Sequence, residues 1–213
     1  MKLFSTAPIF TPLILASPFP DLPEASYPGT CPNVLGSQNF DLGPYITGTW
    51  FTAAQSQFKY TYDGEVCISA SYYASSDDPN NKIDVYNSFL WKTTTGPRYT
   101  QQGYAVIDTE KYGTLSVTFH GEILEDDIDN YIVLDTDNNN YSYVWACQQY
   151  EDYYSPILWI LNKNRGQSES EVSQQITSAI DILRDDFDWV YADEFMGLID
   201  VKVTENCPDV DFQ

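Results

Sequence analysis

The sequence predicts an all-β fold, an eight-stranded up-and-down antiparallel barrel followed by one C-terminal α-helix. Three observations point there. Eight short β-favouring segments separated by turn-formers run from Tyr45 to about Leu161, and 15% of the chain is aromatic, a side-chain class that favours strands and lines apolar cavities with a polar edge. The apolar period then changes to a helical one only after the last of these segments. At 213 residues the chain suits a single β-barrel domain with one substantial core.

Residues 1–17 open with Lys2 and continue through an apolar stretch, interrupted by Pro8 and Pro12, to Leu13-Ile14-Leu15-Ala16-Ser17, and read as a secretory signal peptide. Residues 18–44, rich in Pro, Gly, Ser and Asn, read as an irregular lead-in, and residues 45–210 as the barrel domain. Its strands are expected at residues 48–53, 66–73, 82–91, 99–106, 113–119, 130–134, 141–147 and 156–161. Asp77-Asp78-Pro79-Asn80-Asn81, Thr95-Gly96-Pro97 and Asp135-Thr136-Asp137-Asn138-Asn139-Asn140 supply reversals between them. Short links between sequential strands make a meander, and closing it removes exposed edges while leaving room for one small ligand. Val172, Ile176, Ile180, Leu183 and Phe187 then draw one apolar stripe along a helix that Ser168 and Glu171 begin as a capping box, and residues 197–203 read as a short ninth strand or an extended tail leading to Cys207.

Ten basic residues against 31 acidic ones give a net charge of −21, a field that repels nucleic acid and anionic membrane surfaces. Beyond the leader no apolar run is long enough for a membrane-spanning helix, so no membrane insertion is expected. Cys31, Cys67, Cys147 and Cys207 show no CxxC or Cys/His spacing for a metal, and an even number after a leader reads as two disulfides, with three connectivities open.

Cys31-Pro32-Asn33, Asn39-Phe40-Asp41, Tyr45 and Gly48-Thr49-Trp50 resemble the opening of lipocalins of the apolipoprotein D and insect bilin-binding (insecticyanin) type. Thr136-Asp137-Asn138-Asn139-Asn140-Tyr141 and Leu158-Trp159-Ile160-Leu161-Asn162-Lys163-Asn164 resemble that family's later motifs in the same order. The resemblance covers about residues 29–210. It implies disulfides Cys31 to Cys147 and Cys67 to Cys207, and a closed barrel end made by Gly48 and Trp50 under a basic side chain. Lys163 stands where the family usually has Arg, with Arg165 two residues on, so the base over Trp50 is either of these two.

The resemblance also implies that Tyr72, Asn87, Phe89 and Trp159 look into a ligand cavity, with Phe89 replacing a frequent carboxylate. Alternation puts Trp91 on the same face as Val85, Asn87 and Phe89. Tyr141 and Tyr143 share a face of the seventh strand with Trp145, and are candidate ligand contacts if that face is the inner one. His120 reads as a solvated residue near a turn, which argues against a haem carrier and a metal site, and Asn140-Tyr141-Ser142 is an N-glycosylation sequon. Residues 55–62 form a first connecting loop long enough to serve as a lid.

With no Ser/His/Asp arrangement or phosphate-cradling glycine loop, the expected function is not catalysis. It is a secreted, extracellular carrier of a small hydrophobic ligand such as a bilin, carotenoid, retinoid, steroid or fatty acid. No cofactor is required, a bound biliverdin or carotenoid would make it a pigment protein, and a homo-oligomer is compatible with the sequence. The alternative is a protein-interaction scaffold that uses its acidic loops.

Overall fold

A computed structural model describes residues 26–56, 64–78, 82–119, 130–202 and 204–210. The expected leader, most of the first connecting loop and His120 lie outside these residues.

Eight antiparallel strands form the barrel: β2 (Thr49–Ser56), β3 (Glu65–Ala74), β4 (Lys82–Trp91), β5 (Arg98–Ile107), β6 (Thr114–Phe119), β7 (Tyr131–Thr136), β8 (Tyr141–Gln149) and β9 (Tyr153–Asn162). Each pairs with its neighbour in sequence, and β9 returns to β2 through Phe51 opposite Asn162 and Gln55 opposite Trp159, which closes the sheet. Two short strands, β1 (Tyr27–Pro28) and β10 (Ile199–Val201), add to β9 and β2. The lead-in expected to be irregular therefore carries β1 and a one-turn helix, α1 (Leu42–Tyr45). Asp41 caps that helix by accepting from the Gly43 N–H at 3.2 Å, satisfying a donor the short helix leaves unpaired.

Helix α2 (Glu169–Asp181) starts at the expected capping box: Ser168 Oγ accepts from the Glu171 N–H while the Glu171 carboxylate accepts from the Ser168 N–H. A π-helical turn over Ile182–Asp186 continues it before a short helix, α3 (Ala192–Met196). The wider turn keeps Leu183 fully buried beneath the stripe that Val172, Ile176 and Ile180 begin.

The core has layers on both sides of the barrel wall. Trp50, Tyr72, Val85, Ala105, Leu115, Val133, Val144 and Leu161 belong to one cluster, one residue from each of the eight strands in turn, so this cluster is the barrel interior. A second cluster joins Val172, Ile176, Ile180 and Leu183 to Tyr143, Trp145, Leu158 and Ile160, on the outer face of β8 and β9. A third gathers Phe51, Leu90, Cys67 and Cys207 around one of the two disulfides. Those bridges are Cys31–Cys147 and Cys67–Cys207, the pairing the resemblance implies. Gly103 shows how closely the strands approach, because a Cβ there would stand 2.2 Å from the Thr118 carbonyl oxygen.

Candidate functional site

One end of the barrel is sealed from below. Gly48 holds a positive φ of +83° that other residues rarely adopt, and so turns the chain from α1 into β2. Trp50, fully buried, donates its indole N–H to the Tyr45 carbonyl at 2.8 Å. Lys163 at the end of β9 places its Nζ 4.6 Å from the Trp50 ring centroid and donates to the carbonyls of Pro44 and Asn138 at 2.7 and 3.1 Å. Burial holds the Lys163 ammonium below its ordinary pKa, with the Asp137 carboxylate acting the other way. Lys163 is therefore the closing base. Arg165 covers Phe51 instead, 4.9 Å from its ring centroid, and donates to the Cys207 carbonyl and the Asp209 carboxylate.

Above this seal lies a floor of three tyrosines. Tyr45 reaches up from α1, stacks with Tyr72 at 5.9 Å between ring centroids and lies 4.9 Å from Trp50. The Tyr131 hydroxyl is hydrogen-bonded to those of Tyr45 and Tyr72 at 2.8 and 2.9 Å, and the Tyr45 hydroxyl also meets Ser142 Oγ at 3.2 Å. Burial pushes the Tyr45 hydroxyl up to about 12, with its hydrogen bonds to Ser142 and Tyr131 acting the other way. Burial also raises Tyr72 and Tyr131 well above an ordinary phenol, so all three stay neutral at physiological pH. Sequence reasoning placed Tyr72 in the cavity and left out Tyr45 and Tyr131 as site residues. The strand alternation that pairs Tyr131 with inward-facing Val133 carries that signal.

Above the floor, Val117, Phe119 and Trp159 belong to the interior cluster and are only partly buried. The unbroken β4–β5 register, from Lys82 opposite Val106 to Leu90 opposite Arg98, keeps β4 in strict alternation. Asn87, Phe89 and Trp91 thus follow buried Val85 up the inner wall towards the mouth. At the rim, Phe89 stacks on Tyr99 with 5.3 Å between centroids and lies 6.4 Å from Trp91. Asn87 Oδ1 is buried and has no hydrogen-bond partner among the described residues.

Tyr141 and Tyr143 require a correction. On β8 it is Ser142 and Val144 that face the interior, Ser142 through its bond to Tyr45. Tyr141 and Tyr143 therefore point outward, with Trp145, against the residues of α2. The expected ligand set divides into an inner group of Tyr72, Asn87, Phe89, Trp91 and Trp159 and an outer pair.

No family model matches the chain. The Lazarillo protein of Schistocerca americana is 33% identical over 142 residues, which cover 65% of this chain and 62% of the relative, so the match spans under two thirds of that relative's length. Insecticyanin-A of Manduca sexta is 28% identical over 152 residues, covering 65% of this chain and 71% of the relative. Among solved structures, lobster apocrustacyanin A1 superposes with a TM-score of 0.64 at 17% identity, over 87% of this chain and 95% of the other. Insecticyanin from the tobacco hornworm superposes with a TM-score of 0.61 at 22% identity, over 88% and 93%. These likenesses show the fold.

Proposed function

We propose that this chain, a lipocalin with insecticyanin among its relatives, is a carrier holding one small hydrophobic ligand inside the barrel. The observation that carries this reading is Asn87 Oδ1, a buried acceptor with no hydrogen-bond partner among the described residues, on the strand face that also carries Val85, Phe89 and Trp91. Leaving such an atom unpaired costs about 1–3 kcal/mol. A ligand that brings an N–H or O–H donor to it would recover that cost.

Phe89, Trp91 and Trp159 supply flat apolar surface, and the Tyr131 hydroxyl at the floor offers a second polar contact. A flat conjugated ligand with donor groups suits such walls, which puts a linear tetrapyrrole first within the class, ahead of carotenoids with fewer donors. Affinity would come from apolar area removed from water, roughly 25 cal/mol per Å² before the losses of ligand and side-chain freedom. Two disulfides over long sequence separations support an oxidising, extracellular setting.

The experiment is an absorption spectrum of natively secreted protein, mass spectrometry of its solvent extract, and titration of the extracted protein with biliverdin followed by tryptophan fluorescence. A visible band with a bilin mass, or saturable quenching by biliverdin, is the expected result. A colourless apolar extract with no biliverdin or astaxanthin uptake would narrow the function to a general lipid carrier. Protein that takes up none of these would overturn the carrier reading.

A further inference from the structure

A cavity lies outside the barrel, where α2 crosses the closed-end portions of β8 and β9. Its volume is about 390 Å³, within the range of roughly 300–1,000 Å³ usual for small-molecule sites. Tyr141 and Tyr143 line one side, their ring centroids 5.1 Å apart. The Tyr141 hydroxyl donates to Asp135 Oδ2 at 2.8 Å, which anchors the tip of that ring. Asn162 and Gln175, also in the lining, join their amides through two reciprocal hydrogen bonds of 2.9 and 2.8 Å. Each amide keeps one N–H and one lone pair for a further partner. Gln167 is anchored by its amide N–H on the Asn164 carbonyl at 2.6 Å, yet its Oε1 is buried with no partner among the described residues.

The charge of this groove separates it from the rest of the surface. In a chain of net charge −21, Glu171 is the only formally charged residue in the lining among the described residues. Its carboxylate is already engaged by the N–H and hydroxyl of Ser168 at 2.8 Å each. Tyrosine faces, paired planar amides and an unfilled acceptor match a neutral ligand that has both C–H faces and dense hydroxyl groups. We propose that this outer groove seats a neutral saccharide.

Two sources would supply that chemistry. One is a glycan on this chain: exposed Asn140 begins the sequon Asn140-Tyr141-Ser142 and stands in the groove lining. Its amide nitrogen would form a bond to C1 of an oligosaccharide carried on a lipid pyrophosphate. The C1–oxygen bond breaks, the lipid pyrophosphate leaves with the electron pair, and one amide proton is lost. The remaining N–H suffices for the bond Asn140 now makes to Asp137 Oδ2 at 2.7 Å. The other source is a free oligosaccharide.

The test uses the full chain secreted from eukaryotic cells alongside Asn140→Gln. Glycopeptide mass spectrometry reads Asn140, and NMR reads contacts between sugar protons and the Tyr141 and Tyr143 rings. Asn140→Gln is titrated with N,N′-diacetylchitobiose at millimolar concentration, using saturation transfer. A glycan on Asn140 that contacts the tyrosine rings identifies the first source. A bare Asn140 with chitobiose binding weakened about threefold to tenfold by Gln167→Ala or Gln174→Ala identifies the second. A glycan that makes no contact with the rings while chitobiose gives no signal, a bare Asn140 with no signal, or a signal that both substitutions leave unchanged overturns the proposal.

Discussion

Lys163 Nζ lies 4.6 Å from the Trp50 ring centroid and 2.7 Å from the Pro44 carbonyl oxygen, so one ammonium joins the last barrel strand, the first, and the segment leading into it. Lys163→Ala removes the ring contact and the two hydrogen bonds to the Pro44 and Asn138 carbonyls, of which Pro44 keeps the Thr47 N–H. The expected loss is about 1–3 kcal/mol by urea denaturation. Arg165→Ala, which leaves the Trp50 contact intact, is expected to loosen the Phe51 side and the tail at Asp209 instead. Equal losses of Trp50 burial in the two variants, read by fluorescence quenching, would contradict this division.

The tyrosine floor makes the fold sensitive to alkali. Burial raises Tyr45 from 10.0 to about 12, so in that interval the unfolded chain loses a proton that the folded chain keeps. The folded state then binds more protons, and stability falls as pH rises through this window. Denaturant midpoints measured from pH 9 upward are expected to drop more steeply in the natural chain than in Tyr45→Phe. An identical slope would mean that Tyr45 is not held neutral.

Tyr131 is the hub of that floor. Tyr131→Phe removes two hydrogen bonds and leaves Tyr45 with Ser142 as its remaining hydroxyl partner. Tyr72→Phe removes one. At about 0.5–1.5 kcal/mol per bond, Tyr131→Phe should cost roughly twice as much as Tyr72→Phe, as read by chemical denaturation.

The disulfides differ in surroundings more than in loop length. Their sequence separations are 116 and 140, a ratio for which chain entropy alone predicts a difference of only about 0.2 kcal/mol. Cys67 and Cys207 are 1% and 2% exposed and pack with Phe51 and Leu90, whereas Cys31 is half-buried. Removing either bridge with paired Ser substitutions is expected to cost about 2–5 kcal/mol. The Cys67–Cys207 variant should lose the more, because two serines would then enter an apolar cluster. Thermal midpoints of the two double variants decide the order.

Much of the fold is legible in the residues. Strand β4 has the expected limits of Lys82 and Trp91, and the Ser168/Glu171 box opens α2 where expected. What misleads is β8. Ser142 and Val144 on one face and Tyr143 and Trp145 on the other are all buried, since one face meets the interior and the other meets α2. Alternation identifies a face by contrast between apolar and polar residues, and here both faces are shielded and the larger side chains are outside. The π-helical turn at Ile182–Asp186 is hidden for a related reason: Ile180, Leu183 and Phe187 keep an ordinary helical spacing, so the apolar stripe carries no mark of the wider turn. The inner group around Asn87 was readable because β4 pairs without a bulge against β5.

Asn87 yields a prediction in which stability and affinity move in opposite directions. Its buried Oδ1 finds no partner among the described residues, so Asn87→Leu replaces an unsatisfied acceptor with an apolar group of similar size. The ligand-free variant should be more stable by about 1 kcal/mol, a gain visible as a higher urea midpoint with unchanged slope. The same substitution removes the acceptor that a donor-bearing ligand would use, so biliverdin should bind about tenfold more weakly, whereas a fatty acid probe, which brings no N–H to that atom, should bind at least as well. A variant that loses stability has lost a structural contact, and Asn87 then belongs to the wall. A variant that gains stability while keeping full biliverdin affinity would move the polar contact from Asn87 to Tyr131.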